Sequence, residues 1–127
     1  MKFLLDTHTF IWWDSDSKKL SERVLELLLN PENVRLVSVV SLWEIQIKTQ
    51  LGKLTLNQSL PDIIHQQQNN GIEFIGVKIN HVLMLGQLPL HHKDPFDRLL
   101  ISQAQSENAI LISKDTNFSS YSVSVEW

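Results

Sequence analysis

Five short apolar or β-branched runs, each separated from the next by a segment with helical traits, constrain this chain more than any other feature. The runs are Phe3–Leu5, Val34–Val37, Ile72–Val77, Ile110–Ser113 and Val123–Val125, and their aliphatic, β-branched content marks them as buried strands. Helical segments lie between them at Leu20–Leu29, Leu42–Leu51, Pro61–Asn70, Asn80–Gly86 and Pro95–Asn108, with a further helix beginning around His8. Ser21 is placed to open the first of these, and Gly52 and Gly71 to close two others, because glycine accepts the left-handed conformation cheaply. Gln66–Asn70 reads as the solvated end of a helix. Strands alternating with helices predict an α/β fold, a five-stranded parallel sheet covered on both faces in three layers, α/β/α.

The 127 residues suit a single domain over 1–127, long enough to bury about two-thirds of the surface its unfolded form exposes. At 43% hydrophobic and 20% charged residues the composition gives no case for disorder. With no cysteine in the chain, disulfides and thiolate metal sites are excluded, and carboxylates and imidazoles remain as side-chain ligands. Asp6 and His8 interrupt the apolar start MKFLLDTHTF before it reaches the length a secretory leader needs. No window approaches the roughly 18 uninterrupted apolar residues of a membrane span, so a cytoplasmic protein is expected. A formal charge of -3 argues against a chain-wide basic surface for nucleic acid. Any polyanion must be met locally, by a metal ion or a small basic patch.

Acids that follow strands carry most of the functional signal, since ligands of open parallel sheets gather at the carboxyl edge. Asp6 follows the first strand and could equally cap the next helix. Glu44 lies in SVVSLWEIQIK, one helical turn from Lys48, and an exposed i, i+4 pair would account for it. Asp115 follows ILISK, where KDTN is good turn chemistry. In HHKDPFDRLL, Pro95 suits the first helical position, which makes Asp94 the N-cap and puts Asp97 at the third position. A capping-box partner there is usually Glu or Gln, since Asp is short, so local helix chemistry explains Asp97 less fully than Asp94. Asp6, Glu44, Asp97 and Asp115 should therefore converge at one sheet edge. Two carboxylates about 5 Å apart repel by roughly 3 kcal/mol at an effective dielectric near 20, which a bound cation would relieve. Mg²⁺ or Mn²⁺ fits oxygen ligands, and no His spacing in the chain supports zinc.

LLDTHTFIWW, SVVSLWEIQIKTQLGKL, HHKDPFDRLLISQA and ISKDTNFSSY, in this order and across nearly the whole chain, resemble the successive motifs of PIN-domain ribonucleases of the VapC type, the toxins of bacterial and archaeal toxin–antitoxin pairs. The resemblance implies a sheet of strand order 3-2-1-4-5, a pocket of Asp6, Glu44, Asp97 and Asp115 holding Mg²⁺ or Mn²⁺, and hydrolysis of RNA phosphodiesters to 5′-phosphate and 3′-hydroxyl ends. It also implies a homodimer and a small antitoxin partner whose tail brings a basic side chain toward the acids. Asp94, Ser113 and Thr7 are expected to cap or support that pocket. Ser113 stands where many relatives have threonine, and keeps the hydroxyl.

Lys48, Lys93, Arg98 and Lys114 flank the acids and are expected to meet RNA phosphates if they are not simply solvated charge. His8, His91 and His92 are close enough in sequence for a proton-transfer role, against the plainer reading of loop histidines or local hydrogen bonding. Four tryptophans are many for this length, and the adjacent Trp12 and Trp13 cannot easily both enter one core from a regular helix, so at least one of them should lie near the surface, either at a partly buried core edge or at a partner interface. Two rival readings remain. A phospho-acceptor receiver domain would need an aspartate ending the third strand, where this chain has Gly76, Val77 and Lys78. A metal-free interaction module of the same fold would have no use for four convergent acids.

Overall fold

Strand β1 (Lys2–Leu5) forms the centre of the sheet in the computed structural model, which describes residues 1–127. Helices α1 (Thr7–Ser15) and α2 (Glu22–Leu29) lead to β2 (Val34–Ser38), and α3 (Val39–Gln50) and α4 (Leu60–Asn69) lead to β3 (Ile72–Ile75). Helices α5 (Ile79–Leu85) and α6 (Pro95–Ser106) then return the chain to β4 (Ile110–Ile112) and β5 (Val125–Glu126). All pairings are parallel and the order is β3-β2-β1-β4-β5. Receiver domains have the order 2-1-3-4-5, so that rival is excluded by topology as well as by the missing aspartate.

Alternation along the strands divides the core into two. Phe3, Leu5, Val37 and Ile112 face one side, where Phe10, Val24, Leu28, Ile45 and Ile63 cover them. Leu4, Leu36 and Leu111 face the other, beneath Val40, Leu100, Ile101, Ala104 and Phe118. This is the period-2 consequence of a pleated strand buried on both faces.

Several boundaries differ from those expected. Helix α3 begins at Val39 rather than Leu42, because Ser38 accepts a hydrogen bond from the Val40 amide and a capped start outweighs the β-branched pair Val39-Val40. The last strand falls at Val125–Glu126, beginning two residues and ending one residue later than the run Val123–Val125. Two short 3-10 turns, Ser17–Lys19 and Thr116–Ser120, have no hydrophobic period by which to announce themselves. Gln67 is not part of a solvated helix end. It is buried, accepts from Trp13 Nε1 at 3.0 Å and donates to Asp14 at 2.9 Å.

The tryptophans also redistribute. Trp12 and Trp13 are each half-buried against the first core, and Trp12 packs edge-on to Trp127. Trp43, 60% exposed and packed edge-on against Phe96 at 5.0 Å, is the outward-facing one. No helix is long and apolar enough to cross a membrane.

Gly71, at φ 91°, closes α4 as expected, and a Cβ there would fall 2.5 Å from an Arg35 guanidinium nitrogen. That guanidinium binds the carbonyls of Leu28 and Asn70 at 3.0 and 2.7 Å, so it has little freedom to retreat. Gly71→Ala should therefore cost about 1–3 kcal/mol. Urea unfolding measures this, and an unchanged midpoint would refute the steric argument.

Candidate active site

Parallel pairing places two of the expected residues together. Leu5 pairs with Ile112, so Asp6 and Ser113, one step beyond each, meet at the carboxyl edge where the strand order reverses, the usual ligand crevice of such sheets. The ladder continues through the Asp6 amide, which donates to the Ile112 carbonyl at 3.1 Å. Ser113 Oγ donates to Asp6 Oδ2 at 2.5 Å, and Asp6 Oδ1 caps α1 by accepting from the Thr9 amide at 2.9 Å. Asp6 is only 6% exposed. Burial pushes its carboxyl above the usual range, against the opposing pull of the Ser113 and Thr9 hydrogen bonds and the nearby His8.

Ser113 also accepts from the Asp115 amide at 3.0 Å. Its single hydroxyl therefore ties the last acid to the first. Asp115 is exposed and caps the 3-10 turn that follows, accepting from the Asn117 amide at 2.9 Å. Asp6 and Asp115 line one open cavity of about 500 Å³ together with His8, Trp12, Lys114 and Thr116.

At the start of α6, Asp94 Oδ1 accepts from the Phe96 and Asp97 amides at 2.9 and 3.2 Å. The cap is thus filled by Asp94, and the Asp97 carboxylate turns to His92 Nε2 at 2.7 Å instead of back to the cap. One ligand atom each from His92, Asp97 and Asp115 lies within 4.8 Å of the others. The Asp97 carboxyl is pushed up to about 6, chiefly by burial. The negative charges of Asp94 and Glu44 add to this and the His92 hydrogen bond opposes it.

Glu44 reaches the same region from α3. Its Oε2 pairs with Lys48 at 3.0 Å, as the i, i+4 spacing suggests, but its side chain is only 12% exposed. Its Oε1 accepts from the Thr7 hydroxyl at 2.7 Å, and that hydroxyl lies 3.0 Å from Ser41 Oγ. Thr7 is a buried support for Glu44.

The flanking cations divide. Lys114 lines the cavity beside Asp115, whereas Lys48 is engaged by Glu44. Arg98 is drawn into the fold: it donates to the carbonyls of Pro89 and Leu85 at 2.8 and 3.3 Å and to the Tyr121 hydroxyl at 3.3 Å. That use of its donors, which secures the loop between α5 and α6, takes it away from the role expected of it at the RNA surface. Tyr121, unmarked by the sequence reading, accepts from the His92 amide at 2.8 Å and so fixes the position of His92. His91 packs edge-on to the Tyr121 ring, and His8 lies at the cavity wall. The only sequence signal for His92 was its place two residues ahead of the Asp94 cap, where the incoming chain must fold back on the first helical turn.

Two carboxylates and an imidazole, Asp97, Asp115 and His92, thus come together, and Asp115 shares its cavity with the buried Asp6; such oxygen-rich surroundings suit a hard divalent ion. The family model for the PIN domain matches residues 3–123. The chain belongs to the PIN-domain family. Among solved structures, this PIN domain is similar to VapBC2 from Rickettsia felis bound to a promoter DNA fragment, at 19% identity, covering 99% of this chain and 98% of that one, with a TM-score of 0.73. It is also similar to DNA-bound VapBC from Salmonella typhimurium (19% identity, 99% and 97% covered, TM-score 0.69) and to VapBC-1 from nontypeable Haemophilus influenzae (20%, 99% and 97%, 0.66). No curated protein matches the chain. At these identities the likeness concerns the fold.

The raised Asp97 carboxyl has a consequence for the stability of the PIN domain. Its value of about 6 exceeds the 3.8 of an unperturbed aspartate, so the folded state holds this proton more tightly than the unfolded state does. The contribution is fully present below about pH 4 and is lost as pH rises toward 6, roughly 3 kcal/mol in all. In EDTA, Asp97→Asn should raise the melting midpoint over wild type at pH 7.5, with the gain shrinking at pH 4.5. An equal difference at both pH values would show that the carboxylate is not strained by burial.

Proposed function

We propose that this PIN domain is a divalent-metal-dependent endoribonuclease, the toxin of a type II toxin–antitoxin pair, acting in the cytoplasm as a homodimer. The observation that carries the reading is the approach of His92, Asp97 and Asp115 to within 4.8 Å of one another, with Asp115 also lining the cavity that holds Asp6 and burial pushing the Asp6 and Asp97 carboxyls upward; Glu44 would complete the set from α3. Such a pocket is poorly matched to water and well matched to a cation. The VapBC identity of the similar solved structures supports the toxin assignment.

Asp6, Asp97 and Asp115, with Glu44, would hold Mg²⁺ or Mn²⁺, which supplies a Lewis acid for a phosphate oxygen and lowers the pKa of a bound water. The surrounding residues set the geometry. Ser113 keeps Asp6 and Asp115 in register, Thr7 and Lys48 fix Glu44, and Asp94 satisfies the helix amides so that the Asp97 carboxylate is left for the site. Asp115, exposed at the cavity wall, would orient the attacking water, and Lys114 beside it would meet an RNA phosphate. Attack by water rather than by the ribose 2′-hydroxyl leaves a 5′-phosphate and a 3′-hydroxyl.

The same pocket suits a cationic side chain from an antitoxin tail, which would satisfy the carboxylates and compete with metal. Ile79, Val82 and Leu83, exposed on α5, would give a homodimer an apolar face. Trp12 and Trp13, each half-buried against the first core, leave a smaller apolar area for such a contact.

Cleavage of structured RNAs with Mg²⁺ or Mn²⁺, and with EDTA as control, tests the reading. Wild type should cleave only with metal, and Asp6→Asn and Asp97→Asn should fold yet lose roughly 100-fold or more of the rate. Asp94→Ala should instead lose about 1 kcal/mol of stability and keep its activity at temperatures where it is folded. Metal-independent cleavage, or equal residual activity in the Asp94 and Asp97 variants, would contradict the assignment. Absence of cleavage with either ion would make the protein a non-catalytic interaction module of the same fold.

A further inference from the structure

We infer that His92 is a nitrogen ligand of the ion held by this site, and that its imidazole makes the site favour Mn²⁺ over Mg²⁺. The inference rests on the metal-dependent reading above. It begins from the position of one ring nitrogen: His92 Nε2 is 2.7 Å from Asp97 Oδ2, and the two share a region within 4.8 Å with an Asp115 carboxylate oxygen. An ion held at about 2.0–2.2 Å by each of its ligands spaces them roughly 3 to 4.4 Å apart. Three donors already this close need to move by only a few tenths of an ångström to share one ion.

The fold presents the imidazole to this position. The backbone amide of His92 is fixed by the Tyr121 hydroxyl at 2.8 Å, Tyr121 is buried, and Arg98 Nη1 donates to the same hydroxyl. The ring itself stands edge-on to Phe118, a fully buried core residue. Its side chain is 20% exposed, so it is neither a loose loop histidine nor closed off from an entering ion. A chain of contacts from α6 through Tyr121 therefore aims a nitrogen at the point where two carboxylates converge.

In the ion-free chain the ring nitrogen and the carboxylate share a hydrogen. An ion bound between them would take the place of that hydrogen, which would shift to Nδ1 in a neutral ring or pass to solvent from a protonated pair. A nitrogen donor adds affinity for first-row transition ions and little for Mg²⁺, whose preference is for oxygen. Mn²⁺ accepts both donor types. Asp6, Asp97 and Asp115 would supply its oxygens and His92 its nitrogen.

Pulsed EPR on the Mn²⁺-loaded protein reads the bond directly, because a coordinated imidazole couples its ¹⁴N nucleus to the metal spin and a ring that merely orients a carboxylate does not. The coupling should be present in wild type, persist in the double variant His8→Gln/His91→Gln, disappear in His92→Gln, and change to the ¹⁵N pattern when wild type is labelled with ¹⁵N-histidine. Calorimetry on His92→Gln should show Mn²⁺ binding weakened about 10- to 100-fold and Mg²⁺ binding far less affected. Bound Mn²⁺ without nitrogen coupling in wild type, or coupling that survives in His92→Gln, overturns the inference and leaves the metal-dependent reading standing. Failure of wild type to bind Mn²⁺ overturns both. Labelling and the double variant leave position 92 untouched, so the inference remains testable even if His92→Gln does not fold.

Discussion

The hydrogen bond from Ser113 to Asp6 joins the ends of two paired strands, and the rest of the site is placed relative to it. Because Leu5 and Ile112 are in register, the first residue beyond each strand must meet the first beyond the other. A hydroxyl at one and a carboxylate at the other turn that meeting into a fixed point. The carboxylate can be buried there only because its lone pairs are occupied, one oxygen by Ser113 and the other by the first turn of α1. The same serine accepts from Asp115. Register, helix capping and acid placement are thus one arrangement.

Around this point the acids differ in how their charge is met. Glu44 has a cation in Lys48 and a hydroxyl in Thr7, and its negative charge is compensated within α3 and α1. Asp94 is consumed by helix amides. Asp6 and Asp97 have hydrogen bonds but no Lys or Arg partner, and burial pushes both upward. Asp115 brings a further negative charge to both, sharing a cavity with Asp6 and lying with His92 within 4.8 Å of Asp97. The unbalanced charge lies in this group, and a divalent ion bound there would gain from every member of it. On the proposed reading, local stability would be given up here so that the ligand finds its donors in place.

Much of this was legible in the sequence, for identifiable reasons. The sheet and its layers were readable because strands buried on both faces carry continuous apolar runs, and the placement of Asp6 and Asp115 at the carboxyl edge was readable because each follows such a run. Pro95 fixed the division between Asp94 as cap and Asp97 as the remaining acid, which the hydrogen bonds bear out. What the sequence hid depends on contacts between distant segments. Arg98 looks like a free cation beside an acid, and only the approach of Leu85, Pro89 and Tyr121 shows that its donors are used. Gln67 reads as helix surface until Trp13 and Asp14 close over it. His92 has no periodic pattern, and its aim at Asp97 is set by Tyr121, 29 positions away.

The central claim is that the fold assembles buried carboxylates to receive a divalent ion, and the most direct measurement is the melting midpoint with and without Mn²⁺, in wild type and in the double variant Asp6→Asn/Asp97→Asn. An ion bound by the native state alone at 100 times its Kd adds about 2.7 kcal/mol, enough to raise the midpoint of a domain this size by several degrees. The account predicts that rise in wild type and its loss in the double variant. A flat response in wild type, or the same rise in both proteins, would contradict it.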